Sequence, residues 1–161
     1  MSVSRDIPRA WIRPQTVMAE HMARGSYDDR GFLFLMLGCI MVFVAQLPRL
    51  SRQAFETGED FMLLMGGTLM AWIFVAPLLL IAIAALSHLV AKAIGGKGDW
   101  AQARLALGWS LLACTPAFLL HGLTGGFVGT DHPGFSLVGA LALGAFFWLW
   151  LNSLYVAERP S

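Results

Sequence analysis

The stretch from Phe61 to Ile94 constrains this chain more than any other, because apart from His88 and Lys92 it holds no titratable side chain. As one helix rising about 1.5 Å per residue, it exceeds the roughly 30 Å hydrocarbon thickness of a bilayer. Three further apolar runs, 31–47, 100–123 and 135–156, alternate with it across short polar breaks. A 161-residue chain that is 57% hydrophobic and 13% charged, with a mean hydropathy of +0.66, lies outside the range of ordinary soluble domains. The expectation is an all-α, polytopic helical membrane protein. An N-terminal cytoplasmic or interfacial segment, 1–30, precedes a four-helix transmembrane domain, 31–157, with spans at about 31–47, 61–94, 100–123 and 135–156.

Local signals refine the outline. Ser4 can cap a turn carrying Ile7, Trp11 and Ile12, and Pro14 suits the first position of a second helix through Val17, Met18, His21 and Met22, stopping at Gly25. With Arg5, Arg9, Arg13 and Arg24 around these apolar residues, the segment is expected to be amphipathic and to lie along the membrane surface. Its five arginines and two prolines are unlike a secretory signal. Pro48 predicts the end of the first span, with an exposed loop from Arg49 to Asp60. Pro77 and Pro116 predict kinks in the second and third spans. Gly95 and Gly96 end the second span and Asp99 can cap the third. Thr124 to Gly134 forms a glycine-rich outer loop, and Trp148, Trp150 and Tyr155 an aromatic interface belt.

Lysine and arginine set the expected orientation. Five in the N-terminal region, Lys92, Lys97 and Arg104 around the central turn, and Arg159 in the tail face one side. Only Arg49 and Arg52 face the other, so both termini are expected in the cytoplasm. Nothing in the +1 net charge points to nucleic acid. Cys39 and Cys114 lie inside apolar runs and are expected to be small buried hydrophobes.

The chemistry-bearing residues form no catalytic set. His88 and His121 fall at opposite ends of their spans and cannot share a haem, and no Cys-x-x-Cys-His motif is present. His121, Asp131 and His132 could meet on the outer side, a weak metal signal. Gly96-Lys97 lacks the upstream glycine and following Ser or Thr of a phosphate-binding loop. No enzyme, cofactor or metal is therefore expected. Gln46, Thr115 and Asn152 keep a small transporter or channel open as an alternative. Gly122 with Gly126, Gly125 with Gly129, and Ala140 with Gly144 repeat the four-residue spacing that lets helices approach closely, within the bundle or against a membrane-protein partner. Phe146, Phe147, Trp148 and Trp150 add more aromatic surface than four helices bury. Arg104 is expected beside Trp100, cation over ring.

The run Gly95-Gly96-Lys97-Gly98-Asp99-Trp100, followed by Ala103-Arg104-Leu105-Ala106-Leu107 and Pro116, resembles the short bacterial, especially alphaproteobacterial, members of the Yip1 family. Arg13-Pro14, Gln46-Leu47-Pro48-Arg49 and Pro77 extend the resemblance over nearly the whole chain. It implies a polytopic inner-membrane protein with a cytoplasmic N-terminus and no known catalysis. Members commonly have five spans, against the four counted here. The function expected is interaction, as a scaffold, assembly factor or accessory subunit held in the lipid bilayer, through a membrane-protein partner or self-association. Gly95, Gly96, Trp100, Arg104, Pro77, Pro116, Gly122 and Gly126 are the structural or interaction candidates.

Overall fold

A computed structural model describes residues 3–159 of the protein. Their regular elements are all helical: α1 Val3–Ile12, α2 Pro14–Ala23, α3 Tyr27–Thr57, α4 Phe61–Met70, a π-helical turn Ala71–Val75, α5 Ala76–Ala93, α6 Trp100–Ala113, α7 Thr115–Phe127 and α8 Pro133–Ala157. Helix α3, the rod Phe61–Ala93 made by α4, the π-turn and α5, and helix α8 are each long and apolar enough to cross a membrane. Helices α6 and α7, bent by 45° at their junction, make a fourth such element if counted as one.

Helix α6 is the centre of the bundle, with every residue from Leu105 to Ala113 buried. On one side Trp109 packs with Phe34, Met18 and Leu149; on the other Leu107 and Leu111 pack with Leu35, Cys39, Val42 and Ala84. Cys39 and Cys114 are free and buried, as expected. Contact between α3 and α6 is close because neither backbone carries a side chain where they meet. A Cβ on Gly108 would stand 2.6 Å from the Gly31 carbonyl oxygen. Small residues serve this purpose where lipid tails compete with side chains for apolar contact and burial alone does not drive helices together.

Pro48, Pro77 and Pro116 act differently. Pro48 does not stop the first long helix, contrary to the expectation from sequence: α3 continues to Thr57 and ends at Gly58, whose φ of 73° closes the helix in the left-handed region. Pro48 removes one backbone donor, yet α7 is pressed against this turn, with Gly126 so near that an added Cβ would meet the proline ring at 2.6 Å. The expected loop from Arg49 shrinks to Gly58, Glu59 and Asp60, and the Asp60 carboxylate accepts from the Met62 amide at 2.8 Å to start α4. Pro77 follows the π-turn, whose wider backbone spacing absorbs the missing donor inside a continuous rod. Pro116 sits at the bend between α6 and α7, where the kink was expected.

Helices α1 and α2 fold back on one another around Arg13. Arg9 reaches Glu20 at 2.6 Å and Arg24 reaches Asp6 at 3.9 Å. The pair is docked on the bundle through Ala10, Val17 and Met18. Helix α7 runs on to Phe127, so the glycine-rich connection to α8 is shorter than the sequence implied.

Candidate functional site

A buried polar constellation lies at the turn between α5 and α6, where it encloses the end of α8. Gly95, at φ 97°, ends α5, and the Gly96 amide donates back to the Ala91 carbonyl at 2.8 Å. Asp99 then caps α6 in a reciprocal box: its carboxylate accepts from the Trp100 amide at 2.7 Å and Gln102 accepts from the Asp99 amide at 3.0 Å. Between these caps sits Glu158. One carboxylate oxygen lies 2.7 Å from Nδ1 of His88, the other accepts from the Gly98 amide at 3.1 Å, and its backbone carbonyl accepts from the Lys97 amide at 3.0 Å. His88 is 2% exposed and Glu158 8%. Two glycines are needed for the approach: a Cβ on Gly96 would be 2.8 Å from the Glu158 carboxylate, and one on Gly98 would be 2.5 Å from the Ala157 carbonyl.

Trp100 covers this pair, its ring centroid 4.7 Å from that of His88. It is not paired with Arg104, whose guanidinium instead bonds the Asp28 carboxylate at the start of α3. A full charge finds a carboxylate more favourable than a ring face, and Asp28 is within reach because Gly31 draws α3 onto the Arg104–Leu105 backbone. Both Glu158 oxygens are committed, so the arrangement acts as a latch tying the last turn of α8 to the α5–α6 turn. Sequence reasoning missed Glu158 and Asp28. The signal available was a lone carboxylate at the end of an apolar helix, opposite a turn with exposed glycine amides.

A second buried polar site joins the N-terminal pair to the core. His21, 1% exposed, is packed against Trp109 at 4.3 Å and Phe34 at 5.4 Å. The Arg30 guanidinium bonds its Nδ1 and also donates to its carbonyl at 2.9 Å. Burial, reinforced by Arg30 and Arg24, pushes the His21 imidazole down to about 4, so it is neutral and its Nδ1 is the acceptor. Nearby, Trp11 Nε1 donates to the Ala113 carbonyl at 2.9 Å, and Gln15 donates to Asn152 at 2.9 Å. The first of these answers the bend: breaking the helix at Cys114 frees carbonyls, and Thr115 Oγ1 takes that of Leu112 at 2.8 Å while Trp11 takes that of Ala113.

At the opposite end, the four-residue glycine spacing serves α3. An added Cβ on Gly122 would collide with the Ala45 carbonyl, and Gly126 seats Pro48. Arg52 donates to the carbonyls of Gly126 at 3.3 Å and Phe127 at 3.0 Å, capping the C-terminus of α7, while Arg49 bonds Gln46 at 3.2 Å. His121 stacks on Phe135 with centroids 4.2 Å apart, and His132 caps α8 by accepting from the Gly134 amide at 3.0 Å. Among the described residues no three of His, Cys, Asp and Glu are grouped to hold a metal ion. The polar residues that raised transport spend their hydrogen bonds locally: Gln46 on Arg49, Thr115 on Leu112, Asn152 on Gln15 and the Trp148 carbonyl. Ala140 and Gly144 differ from the other small pairs, being exposed, with nothing within 4 Å of an added Cβ on Gly144.

In comparisons with known proteins, no family model, curated protein or solved structure matches this chain.

Proposed function

We propose that the chain is a non-enzymatic, four-span protein of a bacterial inner membrane, with both termini cytoplasmic, that works through helix–helix contact as a scaffold, assembly factor or accessory subunit. The observation that carries this reading is the outward face of α8. Only 11% of its most apolar stretch is buried, as in the Phe61–Ala93 rod and against 39% for α3, so what sets α8 apart is the composition of its open face. That face combines the small, open positions Ala140 and Gly144 with exposed Phe147, Trp148 and Tyr155. Close-approach positions flanked by large aromatics suit a partner helix. The polar groups near the spans are consumed by latching and capping, which supports a structural role over chemistry. The resemblance of the Gly95–Trp100 turn to bacterial Yip1 proteins supports the same reading.

Solubilisation in a mild detergent, affinity purification and quantitative mass spectrometry test it. A stoichiometric membrane protein, lost when Gly144→Phe fills the open position, is the expected result. Recovery of the chain alone from wild-type cells contradicts it.

A further inference from the structure

An apolar groove of about 730 Å³ opens sideways between α1, α7 and α8. Its walls include Pro8, Trp11 and Ile12 from α1, Ala117 from α7 and Leu141 and Ala145 from α8. The lining is hydrocarbon almost throughout, and Ile12 and Leu141 are 81% and 65% exposed. Two arginines that neighbour its α1 wall along the chain have no carboxylate. Arg9 and Arg24 are taken by Glu20 and Asp6, whereas Arg5 and Arg13 are exposed and form no ion pair among the described residues. Arg13 follows the groove residue Ile12 directly. Arg5 precedes Pro8 by three residues and Ile12 by seven, the spacing of one helix face.

Depth makes this pairing of surfaces meaningful. On α3, Arg30 and Arg49 lie about 28 Å apart along the axis, one hydrocarbon thickness. Gly31 meets α6 at Leu105 and Gly108, so Ala113 and the Trp11 indole bonded to it lie roughly 10 Å inside the boundary. Ala142 faces Cys114 at that depth. Asn152, ten residues on, returns about 15 Å to the boundary and holds Gln15, just past Arg13. Asp6, next to Arg5, reaches Arg24, which lies a few residues before Arg30 at the boundary; the groove therefore starts at the headgroup level, on the side of Arg5 and Arg13, and runs into the hydrocarbon.

We propose that this groove seats one acyl chain of an anionic phospholipid whose phosphate is held by Arg5 and Arg13. A protein helix satisfies the apolar wall but leaves both cations without a counter-charge, and a zwitterionic lipid offers a phosphate whose charge is already offset by its own ammonium, leaving the two arginines without net compensation. An anionic lipid meets both surfaces at the depth where each lies. The inference requires that α3 spans a bilayer and is independent of any protein partner.

Native mass spectrometry of the purified protein in mild detergent, with phosphatidylglycerol and phosphatidylcholine of identical chains in competition, tests it. Wild type is expected to retain one phosphatidylglycerol preferentially. Arg5→Gln with Arg13→Gln, both at exposed positions, should reduce that preference about thirtyfold, from two arginines near a membrane surface. Ala117→Phe and Ala145→Phe, from facing walls, should each abolish retention of both lipids, and one folded variant of the two suffices. Equal retention of the two lipids by wild type overturns the proposal. So does an unchanged preference in the arginine variant, unchanged retention in a folded groove-filling variant, or a second copy of the chain held in place of lipid.

Discussion

Glu158 gathers more of the structure than any other side chain, since His88, Gly98 and the close approach of Gly96 all depend on where its carboxylate sits. Removing one member of a buried pair leaves the other without compensation. Glu158→Ala should therefore lower stability by about 3 kcal/mol, read as a fall in Tm in detergent, and His88→Ala should do likewise. The double variant should cost less than the sum, because the two changes delete one interaction. Strict additivity would show that the pair does not act as a latch. His21 makes a separate prediction through protons. It titrates near its ordinary 6.5 when unfolded and at about 4 when folded, so the unfolded state binds more protons between those values. Stability from this group is fully present above about pH 6.5 and declines as the pH falls towards 4. Replacement by His21→Phe should flatten that acid-side slope in a series of Tm measurements, and an identical slope would count against a neutral buried imidazole.

At the scale of the elements, the bent α6–α7 pair shows how one break is answered from two directions. Thr115 supplies a local hydroxyl and Trp11 a donor from another part of the chain. Trp11→Phe keeps the ring and deletes the donor, so it should cost about 1–2 kcal/mol, the penalty of a buried carbonyl left unpaired. A neutral result would mean that water reaches Ala113. The α3–α7 contact is less forgiving. Gly122→Leu places a side chain on the Ala45 carbonyl, and loss of the folded monomer on size exclusion is expected, whereas Gly144→Leu, facing open space, should fold normally. Much of this was legible in the residues themselves: the Phe61–Ala93 rod, the Pro116 bend, and the Gly95 stop with its Asp99 cap follow from local chemistry. The run of α3 through Pro48 was not, because a proline's effect depends on what packs against the turn, and Gly126 lies far along the chain. Nor was the Arg104–Asp28 pair, since choosing a carboxylate over the neighbouring Trp100 requires knowing how α3 and α6 align.

For the whole molecule, the polar residues cluster at two ends of an apolar bundle. His88, Glu158, Lys97, Asp28, Arg104 and the α1–α2 pair occupy one end, and Arg49, Arg52, His121 and His132 the other. Histidines expected at opposite depths are held in separate settings, one bonded to a carboxylate and one stacked on Phe135. This polarity underlies the proposed function and the proposed lipid site alike, because it decides which face of the bilayer meets the latch and the cationic edge of α1. The direct test is accessibility of single cysteines at the exposed positions 97 and 130 to a membrane-impermeant thiol reagent in intact cells; the native Cys39 and Cys114 are buried and stay silent. The account predicts that Lys97→Cys is protected until the inner membrane is permeabilised and that Thr130→Cys is labelled from outside. Labelling of Lys97→Cys in intact cells, with Thr130→Cys protected, would contradict it.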